Sequence, residues 1–261
     1  MTGAGVDKRW VGASFGRAAQ RYDRFAALQR RTGEELLAEL CRDAATPSAV
    51  IDLGAGTGFF LPALRGLAGS GALVAVDLSE PMLHIARPRA ADALLVAGDA
   101  ENLPLANALA DAVFANLSLQ WCNDLPRAFS ECRRVLRPGG HFAFSLFGPA
   151  TLGELRRAWA EVDAYTHVSD FPEAAIIRGL LAESGFSPVL WRERTQRIGY
   201  ADVPEVLEEL RGLGARNLTR NRPRHLMGKA RLEHLYAAYR RQCAGAVFAS
   251  FEIFTVVARA E

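Results

Sequence analysis

The chain is short of cysteine and histidine, carries no excess of either charge and has no long apolar run. Each shortage removes a class of function. Cys41, Cys122, Cys132 and Cys243 are its four cysteines, scattered through 261 residues. They form no C-x-x-C pair and no metal-ligand spacing, which argues against a disulfide framework and against a structural zinc site. The five histidines lack ligand spacing as well, and no metal is expected. The formal net charge is only +2, so no whole-molecule field demands nucleic acid. No stretch approaches the ~20 uninterrupted apolar residues of a membrane span. The first thirty residues are polar and arginine-bearing, without the apolar core of a signal peptide. The expectation is a cytoplasmic protein, a monomer, with neither membrane nor nucleic acid as partner. No internal repeat, low-complexity tract or linker is visible, and the length suits one large domain or one domain with a sizeable addition.

What is present begins with short apolar runs at 49–53, 72–76, 93–96, 112–115 and 141–146. Each is too short for a typical helix and is followed by a segment that can be helical. Such alternation predicts β-α-β units around a parallel sheet buried on both faces. Ser79-Glu80-Pro81 reads as a helix start with a capping serine. Arg137-Pro138-Gly139-Gly140 reads as a turn that ends a helix before the next strand. Beyond residue 146 the rhythm changes. Thr151-x-x-Glu154 has the form of a capping box, with Leu152, Leu155, Trp159 and Val162 at helical spacing behind it. A helix over 173–183 stopping at Gly185, a strand within 188–200, helices carrying Val206, Leu207, Leu210 and Leu213 and then Leu232, Leu235, Tyr236 and Tyr239, and a final strand over 246–259 complete the expectation. The domain plan is a single domain over 1–261: an N-terminal helical cap at 1–45, a core at 46–148, 171–200 and 246–261, and helical additions at 149–170 and 201–245.

The stretch VIDLGAGTGFF at 50–60 ends a predicted strand with Gly54, Gly56 and Gly58, just behind Asp52. Glycines in the first strand-to-helix turn let a ligand approach the backbone without interference from Cβ. The spacing G-x-G-x-G lacks the third glycine of a pyrophosphate site, and an acid nearby repels phosphate but attracts an ammonium or sulfonium. Asp77 ends the next strand, where an acid can accept both hydroxyls of a ribose. Asp99 follows the third strand and, beside the backbone of Ala100, suits an exocyclic adenine amine. Three acids at three successive strand ends lie along the crevice where open α/β sheets bind ligands.

The series DLGAGTG (52–58), VDLSEPML (76–83), GDAENLPL (98–105) and RRVLRPGG (133–140) resembles the class I S-adenosylmethionine methyltransferases. That resemblance implies an α/β, Rossmann-like fold with a seven-stranded, mostly parallel sheet whose last strand, from 246–259, is antiparallel, with helical lid additions. It implies S-adenosyl-L-methionine as cofactor, held by Asp52, Gly54, Gly56, Gly58, Asp77, Leu78, Asp99, Ala100 and Asn116. The segment Asn116-Leu117-Ser118-Leu119-Gln120-Trp121-Cys122 lacks the Asn/Asp-Pro-Pro-aromatic motif of nucleic-acid amine methyltransferases. Cys122 lacks the prolyl-cysteine setting of enzymes that methylate pyrimidine carbon and reads as an inert thiol.

FGRAAQRYD (15–23), NLSLQWC (116–122), GPATLGELRRAW (148–159) and LRGLGARNLT (210–219) closely resemble the malonyl-acyl-carrier-protein O-methyltransferase family of biotin synthesis, so the likeness runs from about Phe15 to Arg259. It implies methylation of the free carboxyl of a malonyl thioester on acyl carrier protein or coenzyme A. A carboxylate is already ionised near neutral pH, so no general base is needed and positioning residues are expected instead. Tyr22 and Gln120 are the candidate donors that orient the carboxylate; Phe15, Arg17 and Trp121 are candidate pocket residues, with Arg17 or Arg21 the candidate to neutralise the carboxylate. Each of these also has an ordinary packing or surface role open to it. Residues 211–241 hold nine basic residues and one acid, Glu233; Arg216, Arg220, Arg222 and Arg224 are the candidate docking residues for an acidic carrier protein. Two alternatives stay open: a methyltransferase acting on a quinone precursor or free acid, and a methyltransferase-like protein arginine hydroxylase that assembles a respiratory complex.

Overall fold

The computed structural model describes residues 7–43, 47–215, 228–243 and 245–261. Three helices come first: α1 (Lys8–Ala18), α2 (Tyr22–Phe25) and α3 (Ala27–Asp43). Strands and helices then alternate: β1 (Ala49–Leu53), α4 (Leu61–Ala68), β2 (Ala72–Asp77), α5 (Glu80–Ala86), β3 (Leu94–Ala97), β4 (Ala110–Asn116), α6 (Leu125–Val135) and β5 (Leu136–Phe147). The remainder is α7 (Gly153–Ala160), α8 (Ala174–Glu183), β6 (Phe186–Gly199), α9 (Val203–Gly212), α10 (Lys229–Gln242) and β7 (Phe248–Ala260). The seven strands form one sheet in the order β3-β2-β1-β4-β5-β7-β6. The pairs among β1 to β5 are parallel, and β7 runs antiparallel to both β5 and β6. The order reverses between β1 and β4, which opens a crevice beyond their carboxyl ends.

The five runs anticipated as parallel strands are strands, and all five residues of β1 are buried. On one face Leu36 and Leu40 of α3 pack with Leu61, Leu64 and Phe114. On the other, Phe129 of α6 meets Phe142 and Phe144, both rings at 5.3 Å. A third cluster joins α7, α9 and α10 to one end of β7 through Leu155, Trp159, Val206, Leu235, Tyr239 and Phe251. The late helices therefore share one apolar layer, set against the same strand that closes the sheet.

Three local expectations are corrected. Arg137–Gly140 is no turn outside the sheet: β5 already begins at Leu136, paired with Ala110, and the register shifts before His141 pairs with Ala112. Gly139, at φ 77°, supplies the bulge. Ser79 sits at the N-cap of α5 but makes no capping bond; its backbone N–H donates instead to Asp77 Oδ1 at 2.7 Å. The Thr151/Glu154 pair is not a capping box. Thr151 Oγ1 donates to the carbonyl of Glu252 and accepts from its N–H, while Glu154 accepts from Ser250 N–H and Oγ–H. Both side chains serve the open backbone of β7 rather than their own helix, which starts only at Gly153 behind a left-handed Leu152.

Candidate functional site

The turn after β1 is shaped by three glycines with positive φ, 78° at Gly54, 54° at Gly56 and 75° at Gly58. They do different things. A Cβ on Gly54 would lie 2.3 Å from Ser118 Cβ, so this glycine lets the turn after β4 come close. A Cβ on Gly58 would strike Ala86 and Leu61, so this glycine serves the packing of α4 and α5. A Cβ on Gly56 would meet nothing within 4 Å: its open side faces the crevice.

That crevice holds ≈ 750 Å³ of empty space, part of it open to solvent, walled by Gly54, Gly56, Asp77, Leu78, Asp99, Ala100 and Asn116 from the strand ends, with Phe15, Tyr22 and Trp121 above. Asp77 is oriented by two backbone donors, Gly56 N–H at 2.8 Å and Ser79 N–H at 2.7 Å. Burial raises its carboxyl from the ordinary range, and those two bonds offset part of the rise. Asn116 spends its amide on structure, donating to Gln29 O and accepting from Ser145 Oγ. Asp99 differs from the expectation of a free acceptor: both oxygens take Lys8 Nζ, at 2.5 and 2.6 Å. Lys8 also reaches Glu101 at 2.7 Å. Burial works against its charge, yet the bonds to the two acids hold its pKa above the ordinary value.

The roof comes from α1 and α2. Gly12 and Gly16 bring α1 against Leu78 and Pro81, where a Cβ on Gly16 would sit 3.1 Å from the proline ring. Phe15 then meets Trp121 edge-on at 5.2 Å and Tyr22 at 6.4 Å. Burial, together with the nearby Asp77 and Asp23 charges, pushes the Tyr22 hydroxyl well above its usual value, so it is a donor at every physiological pH. Cys122 also lines the cavity, but burial pushes its thiol up to about 12; it is inert as a nucleophile.

A second recess adjoins the first at Tyr22, Gly54, Gly56 and Asn116 and adds Asp23, Gln29, Arg30, Asp52, Thr57 and Phe59. Asp52 opens here rather than into the larger cavity. It is only 3% exposed, and its Oδ2 has no partner. Burial, with the Asp77 charge second, pushes its carboxyl up to about 8. Around it Thr57 Oγ1 donates to Asp23 Oδ1 at 2.7 Å, Arg89 pairs with Asp23, and the Arg30 guanidinium donates to the Asp23 carbonyl. An orphaned carboxylate oxygen and an arginine lining one recess suit an amino-acid-like group carrying both charges.

Two candidates stand apart from this arrangement. Arg17 is exposed and lines a shallow groove with Gly12, Gly16 and Pro81 on the outer side of α1, because the helix turns Phe15, not Arg17, inward. Gln120 does not line the main cavity. Its amide N–H donates to Leu117 O at 2.6 Å, and its buried Oε1 is unpartnered. Arg21 is exposed. Arg216, Arg220, Arg222 and Arg224 lie outside the described residues. Sequence reasoning missed Lys8, Asp23 and Arg30. No local pattern marks them, since each reaches the site only through the packing of the N-terminal helices. Among the described residues no helix is long and apolar enough to cross a membrane.

Residues 51–144 match the family model described as a methyltransferase domain. A malonyl-[acyl-carrier protein] O-methyltransferase of Methylococcus capsulatus is 50% identical over 256 residues, covering 96% of this chain and 93% of that protein. One from Nitrosospira multiformis is 36% identical, covering 95% of this chain and 87% of its own. Among solved structures, a putative methyltransferase from Bacillus halodurans superposes with TM-score 0.62 at 19% identity, over 85% of this chain and 97% of that one; this likeness concerns the fold alone.

Proposed function

The chain belongs to the malonyl-[acyl-carrier protein] O-methyltransferase family, and from that premise we propose that it transfers the methyl group of S-adenosyl-L-methionine to the free carboxylate of a malonyl thioester on an acyl carrier protein. The observation that carries the reading is the 50% identity along nearly the whole chain, which includes the N-terminal helices that roof the cavity as well as the common core. The donor set agrees with this cofactor. Asp77 at the end of β2, fixed by Gly56 and Ser79, suits a ribose diol. The orphaned Oδ2 of Asp52 suits the methionyl ammonium, with Arg30 within the same recess for its carboxylate. Gly56 leaves open the volume that a side chain would fill.

When bound, the cofactor supplies an electrophilic methyl on a positively charged sulfur. What this chain's residues contribute is position and dryness. A malonyl carboxylate is ionised near neutral pH, so no residue need remove a proton. Tyr22 holds its own proton and can donate a hydrogen bond that aims the carboxylate. Phe15 and Trp121, in edge-to-face contact, exclude water and so strip the nucleophile of hydration. Asp52 and Asp77, at the ends of β1 and β2, would hold the cofactor. The experiment that tests the reading is incubation of the protein with S-adenosyl-L-methionine and malonyl-carrier protein, with methyl ester as the expected product. Transfer to free malonate or a phenol but not to the malonyl thioester would assign a small-molecule methyltransferase instead.

A further inference from the structure

The helices that roof the crevice turn rings inward and charges outward. Residues 8–24 carry five basic residues and one acid, Asp23. Lys8 is engaged within the fold by Asp99 and Glu101, and Asp23 by Arg89. Phe15 and Tyr22 line the main cavity. What faces solvent is Arg9, Arg17, Arg21 and Arg24, all exposed. Within α1 the exposed residues Trp10, Ala13 and Arg17 recur at spacings of three and four, the period of one helix face. Arg17 stands two residues past Phe15, and Arg21 immediately precedes Tyr22, so rings inside and charges outside come from the same short stretch.

The charge on this outer face is uncompensated. Elsewhere arginines meet carboxylates, as Arg134 meets Glu131 and Arg137 meets Asp111. Arg9 has only Asp7, the N-cap of its own helix, at 3.6 Å, and among the described residues no ion pair engages Arg17, Arg21 or Arg24. Apolar surface accompanies the charge: Trp10 is 48% exposed and Leu78 38%. Exposed tryptophan and arginine together are the makeup of a protein-binding surface. Arg9, Arg17, Leu78 and Pro81 line one shallow groove, and Lys8 and Leu78 wall both that groove and the main cavity. The outer face and the crevice are therefore one helix apart, about 10–12 Å. On its inner side α1 also holds the end of α9, since Ser14 Oγ donates to Gly214 O at 3.0 Å.

Resting on the function proposed above, we propose that the outer face of α1 and α2, with Arg17, Arg21 and Arg24 at its centre and Trp10 beside them, docks the acidic helix of the carrier protein that brings the malonyl thioester. Carrier proteins are acidic along the helix beside their prosthetic arm, and a row of unpaired arginines is the complement of that charge. The arm is longer than a helix is wide, so a carrier seated on the roof delivers its thioester past the edge of α1 into the crevice. Single exposed pairs contribute little; several in a row steer the partner and set its orientation.

Charge reversal with three substrates tests this. Changing Arg17, Arg21 and Arg24 together to Glu should raise KM for malonyl-carrier protein roughly tenfold, with kcat and cofactor affinity unchanged. KM for malonyl-coenzyme A, and for malonyl-pantetheine, which has the arm but neither phosphate nor protein, should stay within about threefold of wild type. Changing the same three to Lys keeps the charge and should leave KM for the carrier protein within about threefold. An equal loss on carrier protein and coenzyme A would assign the arginines to phosphate. An equal loss on all three would assign them to the arm or to the fold. No loss on the carrier protein, or a Lys variant as weak as the Glu variant, would remove charge docking from this face. Each of these results would overturn the proposal. Should the Glu variant fail to fold, arginine-selective dicarbonyl labelling of the wild type, read by peptide mass spectrometry, decides. With S-adenosylhomocysteine bound, malonyl-carrier protein should protect Arg17, Arg21 and Arg24 and malonyl-pantetheine should not; labelling unchanged by the carrier protein would overturn the proposal. A wild type that makes no methyl ester from any malonyl thioester would refute the function itself, and this docking with it.

Discussion

Asp77 and Asp52 stand on adjacent strands, yet they carry different work. Asp77 is fixed by two backbone N–H groups and keeps acceptor capacity toward the main cavity. Asp77→Ala removes a charged acceptor for two hydroxyls, each such bond contributing about 1.5–3 kcal/mol. Calorimetry should find cofactor affinity at least ~10-fold weaker, a drop of about 1.4 kcal/mol, in a protein that still folds. Asp52 has an unpartnered oxygen and a carboxyl pushed up to about 8 by burial and then by Asp77. An acid with a folded pKa above its unfolded value of about 3.9 holds its proton more tightly when folded. The stability this gives is complete below that lower value and is lost as pH rises through the higher one. The ligand-free protein should thus lose melting temperature between about pH 4 and 8, and Asp52→Asn, neutral throughout, should show a flatter profile. Cofactor affinity should rise over the same interval in the wild type only, as Asp52 ionises to meet the ammonium. Parallel profiles for the two proteins would remove Asp52 from that role. The positions of both acids were legible because strand ends are legible. Which recess each faces was not, since that depends on where α2 and α3 pack. The same limit explains Asp99, whose carboxylate is engaged by Lys8 from 91 residues away.

At the level of elements, the parallel strands and the late helices were readable from apolar periodicity. The starts and joints were not. Thr151 and Glu154 have the spacing of a cap, but β7 offers unpaired backbone at Ser250 and Glu252, and buried backbone groups outcompete a helix end that can reach solvent. The bulge at Gly139 was hidden for a like reason: a Pro-Gly-Gly run looks like a turn until its neighbour β4 fixes the register. The turn after β1 supports a sharper expectation. Gly54 and Gly56 look alike in sequence, but a Cβ on the first would collide with Ser118 while one on the second would project into open space. Gly54→Ala combines left-handed strain with a clash against the turn that carries Trp121 and should lower stability by about 1–3 kcal/mol or more. Gly56→Ala should cost less stability, because only the strain applies, yet abolish most cofactor binding. Melting temperature and calorimetry on the pair check this; equal melting with equal binding would show that the turn is merely structural.

For the whole molecule, charge is distributed unevenly. The total is +2, but residues 211–241 carry nine basic residues against one acid. Part of that segment falls within α9 and α10, which share an apolar layer with α7; the arginines between them are read from sequence alone. Acyl carrier proteins are acidic, so a basic segment of this kind would steer the partner and weaken with salt. Reversing Arg216, Arg220 and Arg222 to Glu should raise KM for malonyl-carrier protein more than for malonyl-coenzyme A, and ~0.5 M salt should bring the wild type toward the variant. Equal losses on both substrates would place the arginines at the acyl pocket. The order β3-β2-β1-β4-β5-β7-β6 brings the ends of β1, β2 and β4 to one crevice under Phe15 and Tyr22, where we propose that a malonyl carboxylate is the group methylated. Intact-protein mass spectrometry tests that most directly. Malonyl-carrier protein and acetyl-carrier protein are each incubated with the enzyme and S-adenosyl-L-methionine. The account predicts one added methyl on the malonyl form, released by mild base as an ester would be, and none on the acetyl form, which has no free carboxyl. Methylation of both forms, or of neither, would contradict it.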